Sequence, residues 1–241
     1  MNLKKRRKAS KKKMKRSEFW THVADLRRTL LSILFVVITG FVITFFFHRT
    51  LLNLLLAPLH QTSYIQLSPL EGFLVALRIA FWGSVTFTAP IWLFLLSRFV
   101  LPALYERERQ ALLVFLPLSF LFMGTGLVFA YKLSLPILVF FLDNFTIGLP
   151  FWALGSTVNF VLWILMAHAL SFELFALLFM LVHFEIIKSK HLRRSRRYVI
   201  VALFVLAAIF TPPDVASQLL LFCPLYMLFE SAMLYSRFKR T

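Results

Sequence analysis

Cysteine, glycine and acidic residues are all scarce in this sequence of 241 residues. The single cysteine, Cys223, excludes an internal disulfide and any metal site built from several cysteines. Only 7 glycines and 10 acidic residues stand beside 27 lysines and arginines, and 60% of the residues are hydrophobic. Soluble domains contain roughly 45 to 50% apolar residues, so this composition indicates an integral membrane protein.

Motifs of enzymes are also missing. The sequence has no HExxH, no GxSxG, no phosphate-binding loop and no cysteine cluster. We therefore predict no catalytic residue, no metal site and no cofactor.

Long apolar runs dominate the sequence. A helix needs about 20 apolar residues to cross a bilayer, and the runs are continuous rather than alternating, which favours helices over barrel strands. We predict spans at 29–47, 72–96, 112–131 and 152–182. A further apolar stretch of 37 residues, 199–235, is too long for one span.

This last stretch is interrupted by two prolines and an acid. Pro212 and Pro213 lack backbone N–H groups and force the preceding residue out of the helical region, and Asp214 can cap the returning helix. We predict a helical hairpin, 198–211 and 215–235, with a polar turn at the membrane surface. Both helices are expected to be short, because the 14 residues of the first reach only about 21 Å against a hydrocarbon core of about 30 Å.

Positive charge is distributed unevenly between alternate loops. The segments 1–28, 98–110, 183–198 and the C-terminal tail hold 24 of the 27 lysines and arginines. The other loops hold only Arg49 and Lys132. By the positive-inside rule this predicts an all-α protein of six transmembrane helices with both termini in the cytoplasm, and it places the proline turn on the periplasmic side.

The chain is predicted to consist of a basic cytoplasmic tail, 1–16, and a six-helix membrane domain, 17–241. A run such as KKRRKASKKKMKR is also found in proteins that bind nucleic acid. Beside six spans, we interpret it as a tail held near the anionic surface of the bilayer, with no nucleic-acid partner.

One carboxylate, Glu173, is predicted to lie deep inside a span. A charge there costs about 2.5 kcal/mol or more and usually faces the protein interior or a wet cavity, so a functional role is the default. His168 lies five residues earlier, which is not a same-face spacing. Arg78 either snorkels to the surface or pairs with Glu71, two turns away on the same face.

Two other classes of function remain open from the residues. A proton-coupled small-molecule transporter would use Glu173 and Arg78, but the matching interrupted spans of an inverted repeat are not visible. An intramembrane hydrolase would need an organised nucleophile and base, and Ser171 and His168 have no third group to orient them.

Asp25, Glu106 and Glu108 are among the acidic residues on the predicted cytoplasmic side. Asp25 follows the interfacial sequence SEFWTHVA, and Glu106 and Glu108 lie in the first cytoplasmic loop. Pairing with neighbouring arginines, such as Arg27 or Arg109, would be worth only about a few tenths of a kcal/mol. Pairing and ligand binding are the two interpretations that remain open.

Five motifs occur in order along the chain: HVADLRRTL from His22, SPLEGFLVALRIAF from Ser68, LPALYERER from Leu101, SFELF from Ser171 and TPPDVASQ from Thr211. They resemble the TatC family, a subunit of the twin-arginine protein translocase. The first four are similar to the family's His-Leu-x-Glu-Leu-Arg, Ser-Pro-x-Glu-x-Phe, Ala-Pro-Gly-Leu-Tyr-x-x-Glu-Arg and Phe-Glu-Leu-Pro motifs. The fifth is nearly identical to its counterpart.

The resemblance implies a receptor for folded precursor proteins whose signal peptides carry an Arg-Arg pair. It also implies TatA-type or TatB-type single-span partners, an oligomeric complex in the cell inner membrane and export driven by the proton motive force. The family's signal-binding glutamate matches Glu108, flanked by Arg109. Its N-terminal acidic position matches Asp25, in the same motif as Arg27.

Three departures from the family pattern affect the second and fourth spans. Ala169 stands where a glycine is usual, Phe175 where a proline is usual and Leu95 where a polar residue is usual. We expect them to alter the kink of the fourth span and the partner-contact face of the second, and to leave the carboxylates in place.

Overall fold

The computed structural model of this chain describes residues 2–59, 64–103, 106–144, 152–184, 194–210 and 215–238. Side chains are described from residue 22 onward in these ranges, except at 103, 107, 108, 111, 210 and 236–238. The described part is helical, apart from connecting loops and one isolated parallel bridge between Ile65 and Ala153. The predicted class, an all-α membrane protein, is confirmed.

The helices are labelled in chain order: α1 (Asn2–Phe46), α2 (His48–Leu56), α3 (Glu71–Phe87), α4 (Ala89–Val100), α5 (Glu106–Phe129), α6 (Leu135–Asp143), α7 (Leu154–His183), α8 (Arg196–Phe210) and α9 (Val215–Phe238). A π-helical turn, Ala130–Ser134, joins α5 to α6. Short 3₁₀ turns, Ala57–Leu59 and Leu101–Ala103, follow α2 and α4.

Four helical stretches are long and apolar enough to cross a membrane alone: His22–Phe46, Leu112–Asp143, Leu154–His183 and Val215–Tyr235. The pair α3 and α4 forms a fifth when it is taken as one bent span. α8 has 15 residues, a rise of about 22 Å, so it is short as predicted. α9 has 24 residues, about 36 Å, so the expectation that both hairpin helices are short is wrong for α9.

The predicted span 72–96 is broken in the structure. α3 and α4 meet at an angle of 54°. Pro90, near the start of α4, lacks the N–H that would continue the helix. Trp92 Nε1 donates instead to the carbonyl of Val85 at 3.0 Å, and Thr88 Oγ1 donates to that of Ser84 at 2.7 Å. Side chains therefore satisfy carbonyls at the bend, as burial in hydrocarbon requires.

The predicted span 112–131 extends further than expected, to Asp143. Pro136 follows the π-turn and has no N–H to give to the preceding turn. The wider i→i+5 bonding of Ala130–Ser134 accommodates this defect without ending the helix.

α7 is the central helix of the fold. In its span-forming window 61% of residues are buried in the protein, against 11% for α1. It packs against α5, α3 and α9, and its residues Val161, Ile164 and Leu165 join Leu135 and Leu138 of α6 in one apolar cluster. The buried polar groups of α7, such as those of Thr157, His168 and Ser171, are therefore enclosed by neighbouring helices.

Hydroxyl groups and a glycine join α1 to α3. Thr44 Oγ1 donates to the carbonyl of Ala80 at 2.7 Å, and Ser84 Oγ donates to that of Val37 at 2.6 Å. A Cβ at Gly40 would lie 2.6 Å from Cγ2 of Thr88, so only glycine permits this approach. Small and hydroxyl side chains of this kind hold helices together in lipid, where the hydrophobic effect between helices is weak.

Candidate functional site

The predicted intramembrane carboxylate, Glu173, lies at the contact between α5 and α7. Ser119, fully buried on α5, donates a hydrogen bond from its hydroxyl to Oε1 of Glu173. Oε2 is buried and has no hydrogen-bond partner in the described part of the chain. One oxygen of the carboxylate is thus held by the protein while the other keeps its capacity to accept a bond.

Close packing of the same two helices fixes this pair. A Cβ at Gly126 of α5 would lie 2.9 Å from the carbonyl oxygen of His168 and 2.9 Å from Cγ of Phe172, both on α7. Phe122 of α5 also packs on Phe175, the residue that replaces the expected proline, with ring centroids 5.5 Å apart. The two helices therefore meet at backbone distance close to Glu173.

His168 does not face Glu173, as its spacing predicted. Its Nδ1 lies 2.8 Å from the carbonyl oxygen of Ile164, and its Nε2 lies 2.9 Å from Oγ of Ser134 in the π-turn. A carbonyl only accepts, so Nδ1 carries the proton and Ser134 donates to Nε2. Both side chains are 1% exposed, which makes this a buried polar link between α7 and the π-turn.

The arrangement of His168 also bears on the hydrolase hypothesis. The histidine contacts Ser134 rather than Ser171, whose hydroxyl is buried without a partner in the described part of the chain. Nδ1 is oriented by a backbone carbonyl, not by a carboxylate. No group of three or more His, Cys, Asp and Glu that could hold a metal occurs among the described residues.

Glu71 has a structural role where α3 begins beside the start of α7. Its Oε1 accepts a hydrogen bond from the N–H of Gly155 at 2.5 Å, and its Oε2 accepts one from Leu67 at 2.5 Å. Gly155 is the second residue of α7, so a carboxylate from α3 caps another helix. A Cβ at position 155 would lie 2.6 Å from Oε1, which explains the glycine.

Arg78 is not paired with Glu71. Between the described residues, the one ion pair joins Arg196 to Glu230, and both oxygens of Glu71 are occupied by backbone N–H groups. Arg78 is exposed on α3 and lines an outer cleft of about 410 Å³ together with Glu71 and Asn159. The pairing hypothesis is wrong, and snorkelling remains as a prediction.

The predicted signal-binding residues lie in the middle of α1 and in the first turn of α5. Asp25 and Arg27 are exposed on α1, and Arg109 is exposed on the first turn of α5 beside the exposed Glu106. Among the described side chains, Asp25 and Glu106 form no ion pair with Arg27, Arg28 or Arg109. The backbone of Glu108 lies in α5, while its side chain lies outside the described residues.

An open cleft of about 920 Å³ lies between α1 and α4 and includes Arg27 in its lining. Arg27, Arg28 and Ser32 form its polar part. Its other walls are apolar and include Phe35 and Leu95, the residue that replaces an expected polar one. The cleft therefore pairs cations at the membrane surface with an apolar channel along the bilayer.

The hairpin is confirmed at its two helices, whereas Pro212, Pro213 and Asp214 lie outside the described residues. Rings of Phe204 and Phe222 pack with centroids 3.9 Å apart, and Gln218 Nε2 donates to the carbonyl of Phe204 at 3.1 Å. At the other end Arg196 of α8 pairs with Glu230 of α9. These contacts make the two helices antiparallel.

Sequence reasoning missed Ser119, Ser134 and Gly155. Ser119 is the lone hydroxyl in the run LLVFLPLSFLFM of α5, and its depth matches that of Glu173 in an antiparallel neighbour. A lone hydroxyl at the depth of a buried acid could have predicted the contact of Ser119 with Glu173. The sequence gives no comparable indication for Ser134 and Gly155, because their partners lie 34 and 84 residues away in the chain.

Comparison with known proteins agrees with this geometry. The model of the family described as Sec-independent protein translocase protein (TatC) matches residues 21–224. The TatC protein of Escherichia coli K12 is 33% identical over 225 residues, which cover 90% of this chain and 87% of that protein. The TatC protein of Carboxydothermus hydrogenoformans is 31% identical over 222 residues, covering 90% and 91%.

Solved structures show the same fold. A crystal structure of the twin-arginine translocase receptor TatC superposes with a TM-score of 0.76 at 29% identity, covering 91% of this chain and 100% of that one. A second, in the detergent DDM, gives a TM-score of 0.78 at 29% identity, covering 89% and 99%. The comparisons give no support to a small-molecule transporter. This chain belongs to the TatC family and is a membrane component of a Sec-independent protein translocase.

Proposed function

We propose that this chain is the receptor that binds Arg-Arg signal peptides, with Glu108 and Asp25 as the carboxylates that hold the two guanidinium groups. The observation that carries the proposal is that Asp25 on α1 is exposed and forms no ion pair among the described residues. A carboxylate without a cation of its own is ready to accept one from a ligand. Arg27 and Arg109 lie close to these carboxylates in the sequence and are proposed to belong to the same binding surface.

Preference for arginine over lysine follows from the geometry of the two cations. A guanidinium presents a planar fork of donors that matches a carboxylate bidentately, whereas an ammonium is a compact point charge. Two adjacent arginines therefore require two carboxylates held at fixed positions. Helices α1 and α5 supply such positions, since each acid lies on a regular helix.

The cleft between α1 and α4 supports the proposal. Signal peptides continue from a basic segment into about 7 to 15 apolar residues. Apolar walls at Phe35, Ile91 and Leu95 run from the cytoplasmic mouth of the cleft into the bilayer. A signal whose arginines contact Asp25 and Glu108 would lay its apolar segment along these walls.

Partners and orientation complete the proposal. We infer that the chain lies in the cell inner membrane with its N-terminus in the cytoplasm, in an oligomeric complex driven by the proton motive force. Val201, Val205 and Ile209 of α8 are each more than half exposed and recur every fourth residue, so they form one apolar face. A TatA-type or TatB-type single-span helix fits such a face.

Binding of a synthetic signal peptide to the full-length chain in detergent tests the proposal. An Arg-Arg peptide should bind, and the same peptide with Lys-Lys should bind at least roughly tenfold more weakly, because bidentate bonds are lost. Equal affinity for the two peptides would contradict a receptor that reads the guanidinium fork.

A further inference from the structure

A second apolar cavity, which the proposed function does not use, lies on the periplasmic half of the fold. It has a volume of about 320 Å³ and is enclosed by α2, α3, the end of α5 and α7. Trp82, Thr86, Leu165 and Met166 are among its walls, and Lys132 closes it at one end. Apart from that cation and Tyr131, the lining is almost entirely hydrocarbon.

The cavity is elongated and opens sideways toward lipid. Along α3 its lining extends from Ile79 to Phe87, a rise of about 12 Å, close to the roughly 15 Å of one leaflet's hydrocarbon. Leu54, Phe87 and Val128 are each more than half exposed and form its open side. A ligand would therefore enter from the bilayer rather than from water.

Lys132 lies in the π-turn and lines the cavity. The turn brings Tyr131 and Lys132 to the cavity together, the Tyr131 hydroxyl donates to the carbonyl of Leu54 at 2.8 Å, and Nζ of Lys132 lies 5.8 Å from the Tyr131 ring centroid. The hydroxyl of Tyr131 is thus anchored to α2, and its aromatic ring lies close to the ammonium group of Lys132.

The charge of Lys132 has no acidic partner in the described part of the chain, where the residue forms no ion pair. Loop segments 60–63 and 145–151 contain no acidic residue, and the oxygens of Glu71 are bound to backbone N–H groups. In the structure Lys132 lies within the helical stretch Leu112–Asp143, and it is the one lysine or arginine among the residues that line this cavity.

We propose that this cavity binds one acyl chain of an anionic phospholipid from the outer leaflet, with the lipid phosphate on Lys132. The chemistry of the lining favours a lipid over a protein segment, because the cavity opens toward the bilayer at Leu54, Phe87 and Val128 and carries one cation, Lys132, beside hydrocarbon walls. A single flexible hydrocarbon chain fits, and a lysine beside an apolar wall is the chemistry that holds an anionic head group.

Quenching of Trp82 fluorescence by brominated lipid tests the site in the full-length chain. The chain is placed in vesicles of phosphatidylcholine to which phosphatidylglycerol with brominated acyl chains, or brominated phosphatidylcholine, is added. Trp82→Phe identifies the share of the signal that comes from this tryptophan, one of five. We expect brominated phosphatidylglycerol to quench Trp82 at lower mole fraction than brominated phosphatidylcholine.

Three variants distinguish a specific lipid-binding site from ordinary contact with the bilayer. Lys132→Gln should reduce the preference for phosphatidylglycerol on the order of fivefold. Arg49→Gln, which removes the other outer cation from an exposed position outside the cavity, should leave it unchanged. Val128→Phe, on the open side, should reduce quenching by both lipids because the ring fills the opening.

Three results would overturn the proposal. The first is a preference for phosphatidylglycerol that survives in Lys132→Gln, because the lipid phosphate would then not contact this lysine. The other two are undiminished quenching in Val128→Phe and quenching of Trp82 no stronger than that of the other tryptophans, and each would place the lipid outside the cavity. Secretion of Arg-Arg precursors is not the readout, so this test is independent of the proposed receptor function.

Discussion

The hydroxyl of Ser119 on α5 donates a hydrogen bond to Oε1 of Glu173 on α7, while Oε2 of the same carboxylate has no hydrogen-bond partner in the described part of the chain. A carboxylate at this depth usually faces the protein interior or a wet cavity. Ser119 therefore fixes the position of one carboxylate oxygen, Oε1. The other oxygen, Oε2, is buried and keeps its capacity to accept a hydrogen bond.

Substitutions at Glu173 should separate a functional from a structural carboxylate. Glu173→Gln keeps an acceptor for Ser119 and should retain part of the transport of an Arg-Arg precursor. Glu173→Leu should insert and accumulate normally, because it removes a buried polar group, but should lower transport roughly tenfold or more. Export of a marker precursor, normalised to the amount of protein in the membrane, measures both; normal transport by Glu173→Leu would make the residue structural.

Gly155→Ala should destabilise the outer end of the fold. The added Cβ would lie 2.6 Å from Oε1 of Glu71 and push the carboxylate off the start of α7. Overpacking of this kind costs about 1 to 3 kcal/mol, and each kcal/mol lowers the melting temperature by roughly 2 to 4 °C in a chain of this size. Thermal unfolding in detergent measures the change.

The matched control is Gly124→Ala. Gly124 lies in α5, where a Cβ would meet no other atom within 4 Å among the described residues, and alanine is the better helix former by about 1 kcal/mol. Its melting temperature should stay the same or rise. A Gly155→Ala variant as stable as Gly124→Ala would show that the contact with Glu71 does not require glycine.

The cytoplasmic carboxylates should differ in importance. We expect Glu108→Gln to weaken binding of an Arg-Arg peptide roughly tenfold or more, since a charge-assisted bidentate bond contributes about 1.5 to 3 kcal/mol. Asp25→Asn should weaken it less, and Glu106→Gln, two residues from Glu108, should have little effect. Peptide titrations at low and high salt measure the three, and wild-type affinity in Glu108→Gln would remove that residue from the site.

The six-span topology is tested by fusions to a reporter that is active only outside the cytoplasm. Charge distribution predicts a silent reporter after Arg109 or Arg197 and an active one after Pro69, Phe145 or Asp214. The fusions at Arg197 and Asp214 lie on either side of α8, which has only 15 residues, so they test whether this short helix crosses the membrane. An active reporter after Arg197 would contradict a topology of six spans.

Docking of a single-span partner on α8 predicts position-dependent cross-linking. A photo-reactive residue at Val205, 53% exposed on the apolar face of α8, should trap a small membrane protein. Phe222 packs between Phe204 and Tyr226, so a probe there should react more weakly, and one at the fully buried Leu221 should not react. Trapping of lipid alone at Val205 would count against the partner.

The sequence alone determined that the chain lies in a membrane, that its fold is all-α and that it resembles the TatC family. Apolar runs near 20 residues can only be helices in hydrocarbon, and a one-sided distribution of lysine and arginine predicts their orientation. It also identified Glu173, because a single acid in a long apolar segment is conspicuous without any knowledge of neighbours. These features are local, so they can be seen along the chain.

Tertiary structure decided which groups meet. Glu71 was expected near Arg78 on its own helix, but it caps α7 through Gly155, 84 residues away. His168 lies against Ser134 because the π-turn before Pro136 rotates that serine inward, and Ser119 reaches Glu173 because Gly126 lets α5 and α7 approach closely. Such contacts depend on how helices pack side by side, and helical periodicity specifies which residues share a face but not which face lies opposite.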